Sequence, residues 1–213
     1  MNFLAHLFLD CNSDDALLGS LLGDFVKGAT EGRFSPAVSD AILLHRKIDS
    51  FADAHRITRN SRNRISPLRR RFAGIIVDVC YDHFLSRHWR HFGAIDLKSF
   101  VDRVYAVLSK NRALLPERLS RILPRMISEN WLGSYIHLER VGDALDRIAG
   151  RLSRGDKFMR AVTEIEANYE ALEIDFLGFF PDLAAFCREW KHRCENGAGK
   201  MPDVFHAGDF SEA

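Results

Sequence analysis

Three histidines and four aspartates among the first 83 residues sit at positions where a helical chain would hide them. Asp24 follows Leu21 by three residues and Leu17 by seven, so the three share one helical face. His45 falls on the stripe of Val38, Ile42, Ile48 and Ala52, and Asp49 lies one turn further along it. Asp78 and Asp82 are spaced i, i+4 in another apolar stretch, and His83 adjoins Asp82. His6 precedes them all, inside the apolar opening run. A carboxylate withdrawn from water costs on the order of several kcal/mol unless it is paired, hydrogen-bonded or bound to a cation. One such group is usually a hydrogen-bonded core residue. Seven, spread over three helices and a leading segment, point to a metal site. Mixed imidazole and carboxylate ligands suit manganese, iron or zinc.

Helices must position these residues. Ser13 is a helix cap, with Asp14 and Asp15 favourable in the first turn and apolar residues recurring to Val26. Ser35-Pro36 starts a second helix, and Pro67 opens a third carrying Phe72, Ile76, Val79 and Leu85. Leu97, Phe100, Val101, Val104 and Leu108 mark a fourth. Pro116 and Pro124 are expected to break the next stretch. Trp131 to Leu138 reads as one helix, and Leu145, Ile148 and Leu152 as a shorter one. A long helix from about Asp156 to Phe180 precedes a final one, restarted by Pro181, through Trp190. Strand alternation and internal repeats are absent. The expectation is an all-α fold of eight or nine helices over residues 1–195, followed by a polar tail over 196–213.

The 213 residues carry a net charge of +1, which excludes a generally basic nucleic-acid coat and a strongly acidic solvating chain. Cys11, Cys80, Cys187 and Cys194 include no CxxC pair, and reduced thiols fit a cytoplasmic setting. No run of about 18 apolar residues suggests a membrane span. The near-neutral total hides polarity along the chain. Between Asp53 and Asp78 there is no acid, but Arg56, Arg59, Arg62, Arg64, Arg69, Arg70 and Arg71 occur. From Glu139 onward 15 acids face 10 basic residues. An all-arginine run favours bidentate contacts with carboxylates and phosphates. The lack of Phe, Tyr or Trp over 55–71 argues against a stacking platform for single-stranded nucleic acid.

Four segments resemble the acyl carrier protein phosphodiesterase family. They are Met1-Asn2-Phe3-Leu4-Ala5-His6-Leu7, Leu21-Leu22-Gly23-Asp24-Phe25-Val26-Lys27-Gly28, Leu44-His45-Arg46-Lys47-Ile48-Asp49 and Asp82-His83-Phe84-Leu85-Ser86-Arg87-His88-Trp89. The resemblance continues more weakly to about Trp190. It implies an all-helical, HD-domain-like bundle, a divergent branch of the manganese-dependent HD phosphohydrolases. The implied activity is hydrolysis of the phosphodiester between serine and 4′-phosphopantetheine in holo acyl carrier protein. No His-Asp doublet is present, and the nearest equivalent is the reversed Asp82-His83.

On this resemblance the ligand pool for Mn2+ is His6, Asp24, His45, Asp82 and His83. Asp49 and Asp78 are candidates for ligand support or general base, and Asp24 for a catalytic carboxylate. Lys27 and Arg46 are candidate phosphate partners. Arg59, Arg62, Arg64, Arg69, Arg70 and Arg71 would form a rim for the acidic carrier protein, with no role for nucleic acid or a membrane. A nucleotide phosphohydrolase and a non-catalytic module binding an acidic protein are the competing expectations.

Overall fold

A computed structural model describes residues 1–152 and 155–195, so the expected 196–213 tail lies outside the described residues. Among these residues the chain is all-helical. The helices are α1 (Phe3–Leu9), α2 (Asp14–Leu22), α3 (Pro36–Ala54), α4 (Arg56–Arg64), α5 (Ala73–Arg87), α6 (Trp89–Phe92), α7 (Leu97–Lys110), α8 (Glu117–Ser128), α9 (Trp131–Ser134), α10 (Leu138–Ala149), α11 (Val162–Ala167) and α12 (Tyr169–Glu195). None of them is long and apolar enough to cross a membrane. The caps read from sequence are made: the Ser13 and Ser35 side chains accept from the amides of Ala16 and Val38.

α5 is the central helix. Ile76, Val77, Val79, Cys80, Asp82 and Leu85 are all buried, and together they cover it on every side. α12 packs along it, with Phe176 against Tyr81 and Phe84 and Phe179 against Tyr81. Much of the phenylalanine content collects here, where Phe176 and Phe180 meet Phe92, and Phe180 meets Phe8.

Twelve helical segments replace the expected eight or nine, because several continuous readings divide. The Trp131–Leu138 stretch splits into α9 and α10. His137 takes an extended conformation, and the Tyr135 carbonyl is turned to face the His83 ring instead of continuing a helix. The expected 156–180 helix is instead α11 and α12, separated at Asn168, whose side chain caps the Glu164 carbonyl. Pro67 does not open α5, which begins at Ala73 after a short 3₁₀ turn over 70–72. Pro124 and Pro181 both lie inside continuous helices.

The arginine run also differs from the expected solvated rim. Residues 56–64 form α4, whose buried positions are Thr58 and Ser61 rather than an apolar stripe. Ser61 Oγ lies 2.8 Å from both the Tyr81 hydroxyl and Asp175. Arg64 grips the same Asp175 with two nitrogens. Arg69 donates to Glu164 and to the Met159 carbonyl, and Arg62 pairs with Asp53. Arg70 donates to Asn63, and Arg71 lies over the Phe72 ring. Three of the six arginines assigned to a partner thus neutralise acids of their own fold. Arg56 and Arg59 stay exposed on α4, three residues apart.

Proline in a helix interior removes a hydrogen bond and costs up to about 3 kcal/mol relative to alanine. Pro181 is exposed while its neighbours Phe179, Phe180 and Leu183 hold the helix down. Pro181→Ala is expected to stabilise the protein by roughly 1–3 kcal/mol. The urea midpoint should rise without a change in slope. An unchanged or lower midpoint would mean that the ring's own packing outweighs the missing bond.

Candidate metal centre

The centre is built on α2 and α3. Gly23 ends α2, and a methyl group there would overlap the His45 ring. Glycine therefore lets the end of α2 lie flat on the imidazole and brings the next residue, Asp24, beside it. His45 Nδ1 lies 2.7 Å from the Ser20 carbonyl oxygen. A carbonyl only accepts, so Nδ1 carries the proton and Nε2 presents its lone pair. That lone pair faces Asp49 Oδ2 at 3.4 Å and Asp24 Oδ1 at 3.8 Å.

α1 supplies the second imidazole. The fully buried Asp82 carboxylate on α5 accepts from the amides of Leu4 at 2.8 Å and Ala5 at 3.0 Å. A negative group at a helix N-terminus satisfies open donors and the helix dipole together. Burial nevertheless pushes the Asp82 carboxyl up to about 7, against the pull of those two amides. Held this way, α1 stacks the His6 ring on His45, with centroids 3.6 Å apart.

His6 Nε2 comes 3.1 Å from Asp49 Oδ1, yet neither buried ring nitrogen of His6 has a hydrogen bond. Burial drives the His6 pKa down to about 3, so the ring is neutral and its lone pair is available. Burial also works to raise Asp49, but contacts with His45 and His6 outweigh it and hold the carboxyl well below the usual carboxylate range. One atom each of His6, His45 and Asp49 converge within 4.8 Å of one another. An orphaned buried imidazole is costly in an interior. A cation shared with His45 and Asp49 would remove that cost, so the donor set fits a divalent metal.

The surrounding groups are unequal. Asp24, 37% exposed at the mouth, has its carboxyl raised by partial withdrawal from water. The exposed Lys27 lies close enough to favour ionised Asp24, and its side chain makes no hydrogen bond or ion pair among the described residues. Arg46 donates to the carbonyls of Val26 and Gly28 and so fixes the loop after α2. The Met1 ammonium lies 3.2 Å from Asp49 and 3.4 Å from Asp78. Burial would lower its pKa, but Asp78 and Asp49 raise it to about 10. Asp78 Oδ1 is buried without a hydrogen bond, and burial raises that carboxyl.

Asp82 and His83 were expected as ligands, and the geometry gives them other partners. Asp82 spends both oxygens on α1, apart from the converging atoms, so His45 and Asp82 share no cluster. His83 spends Nδ1 on the Tyr135 carbonyl and Nε2 on the Tyr169 hydroxyl. His83 and Tyr169 line a recess of about 450 Å³ with Arg87 and His137, and none of the converging residues borders it. Donor chemistry, not cavity size, therefore locates the centre. Sequence reading left Asp49 outside the ligand pool although its spacing from His45 placed it on the same face. It missed Gly23, whose only signal is a small residue before Asp24.

Gly23→Ala should displace the His45 ring and weaken binding of Mn2+ by roughly 10- to 100-fold, the range for disturbing the residues that orient a metal ligand. Titration calorimetry on the folded variant reads this directly. Wild-type affinity would show that the contact does not position His45.

The model of the family described as acyl carrier protein phosphodiesterase matches residues 1–183. The chain is 35% identical over 184 residues to the acyl carrier protein phosphodiesterase of Serratia proteamaculans, spanning 86% of this chain and 95% of the relative. Identity to the protein of that name from Yersinia enterocolitica is also 35%, with the same coverage. For the Salmonella agona protein it is 36% over 186 residues, spanning 87% of this chain and 96% of the relative. No solved structure matches. The chain belongs to the acyl carrier protein phosphodiesterase family.

Proposed function

We propose that this protein is a phosphoric diester hydrolase that removes 4′-phosphopantetheine from holo acyl carrier protein, using a divalent metal held by His6, His45 and Asp49 with Asp24 at the mouth. The carrying observation is the orphaned His6 ring stacked on a His45 whose tautomer aims its lone pair at the same point. Manganese fits the mixed nitrogen and oxygen donors. Helical donors arriving from separate segments fit a divergent HD-type arrangement.

When bound, such an ion polarises a phosphoryl oxygen and acidifies a water. The chain's own groups account for the rest. Asp24 Oδ1, with its raised pKa, takes a proton from the attacking water more readily than an ordinary carboxylate. As the water oxygen bonds to phosphorus, the bond from phosphorus to the serine oxygen breaks. Proton return to that oxygen leaves a free serine and 4′-phosphopantetheine. Lys27, free to move, balances the charge gathering on the phosphoryl oxygens.

Arg56 and Arg59 on α4, with Arg70 and Arg71 beyond it, form the surface for the acidic carrier protein. Arg62, Arg64 and Arg69 already have acidic partners and instead brace this surface.

Mass spectrometry of holo acyl carrier protein incubated with the enzyme and Mn2+ should show loss of the prosthetic group. A chelator should abolish turnover and added Mn2+ restore it. His45→Ala and Asp49→Ala should each lower kcat by at least ~100-fold with the helical circular dichroism retained. Full turnover after chelation overturns the metal, and an intact carrier protein overturns the reaction.

Replacing Arg56 and Arg59 together by Ala should raise KM several-fold with little change in kcat, and salt should reproduce the effect on wild type. Arg64→Ala and Arg69→Ala should instead lower the melting temperature. An unchanged KM in the double variant would remove α4 from the docking surface.

A further inference from the structure

Asp24 stands at the mouth of the centre, and the next residue, Phe25, carries a half-buried ring. That ring stacks on Phe3, with centroids 6.3 Å apart. Phe3 precedes His6 by three residues on α1, one turn along the helix. The ring pair thus joins the two segments that bring His6 and Asp24 to the centre. On the Phe25 ring rests a third side chain. The Arg118 guanidinium lies 5.7 Å from the ring centroid, a cation held against a π face.

Arg118 differs from the other arginines of α8. Arg121 donates to Glu117 and Arg125 to Glu129, so each has an acid on or beside its own helix. Arg118 is exposed, and its side chain makes no hydrogen bond or ion pair among the described residues. Its charge is therefore unspent, and Phe25 fixes where that charge is presented. Resting on the proposed phosphodiesterase reaction, we infer that Arg118 is a specificity-determining residue, which binds an acidic side chain of the carrier protein next to the serine being released.

Distance supports this assignment. Consecutive Cα atoms lie about 3.8 Å apart, and a phenyl centre lies about 4 Å from its own Cα. Adding the 5.7 Å contact keeps the guanidinium within roughly 14 Å of the Asp24 Cα. The bond to be cut is attached to a serine of the carrier protein itself. Three bonds separate phosphorus from the serine Cα, so the carrier's backbone comes within about 4 Å of the reacting atom. A protein interface covers about 800 Å² of each partner, a disc of roughly 16 Å radius. Centred on a serine held at the mouth, such a disc takes in Arg118.

Charge decides what Arg118 meets. Lys27 is close enough to act on the Asp24 carboxyl and is assigned to the phosphoryl oxygens. The pantetheine arm beyond its phosphate is neutral, so it offers a guanidinium no charge to pair with. A carboxylate on the acidic carrier does, and the two-pronged donor geometry of arginine matches it. The Phe25 platform also restrains the side chain beforehand, which lessens the freedom lost on binding.

Steady-state kinetics with Mn2+, on holo acyl carrier protein and on bis(4-nitrophenyl) phosphate, a diester with no protein attached, tests the assignment. Arg118→Ala should raise KM for the carrier protein by at least about fivefold with kcat nearly unchanged, and Arg118→Lys should recover most of that loss. Neither should alter turnover of the small diester or the melting temperature. Titration calorimetry with apo acyl carrier protein, which has the same acids without the reacting group, should show the same weakening in Arg118→Ala. An unchanged KM and apo-carrier affinity in Arg118→Ala, or an equal loss on the small diester, overturns the role. Failure of the reaction itself looks different: wild-type protein with Mn2+ would leave holo acyl carrier protein intact, while the calorimetric comparison still reports on Arg118.

Discussion

The fixed point of the molecule is the Asp82 carboxylate inside α5, gripping the first-turn amides of α1. α1 has seven residues and no side-chain cap of its own from Asn2, too little to persist alone in water. The buried charge supplies what the segment lacks, and the segment supplies donors that the charge needs. Each is unfavourable without the other. From that mutual dependence come the position of His6, its stacking on His45, and the shape of the centre between α1, α2 and α3.

Much of the centre was legible from spacing. His45 and Asp49 could be placed on one face of α3 because helical periodicity fixes direction, whereas Asp24, read on the inward face of α2, lies in the exposed turn after that helix has ended at Leu22. Periodicity says nothing of what a buried group meets. Asp82 and His83 looked as promising as His45, but one meets backbone amides and the other a carbonyl and a phenol. Such partners are supplied by the main chain or lie far away in sequence, so no residue pattern announces them. The orphaned nitrogens of His6 are likewise visible only once every neighbour is in place.

The fold shows the same boundary. The all-helical class follows from continuous apolar stripes, and the capped starts of α2 and α3 follow from serine chemistry. α4 has no stripe to read, because it is held by Ser61, Arg64 and their shared Asp175, 111 residues beyond Arg64. The seven arginines read as a surface on charge alone, but Arg64 and Arg69 pair with acids 111 and 95 residues away, and Arg62 with Asp53 at the border of the run. Helix breaks failed for a related reason: Pro124 and Pro181 carry a local penalty that tertiary packing outweighs.

The far end of α12 returns to the beginning of the chain. Lys191 donates to the Leu9 carbonyl at 2.7 Å and pairs with Asp10 at 2.8 Å, closing a loop of 182 residues. The C-terminal end of α1 is thus clamped only when the far end of α12 is in place. Closing so long a loop is entropically slow, whereas the contact of the first turn with Asp82 closes a loop less than half as long. The segment that carries His6 is thus tied at one end to α5 and at the other to α12, so the placement of that ring depends on two helices far apart in the chain.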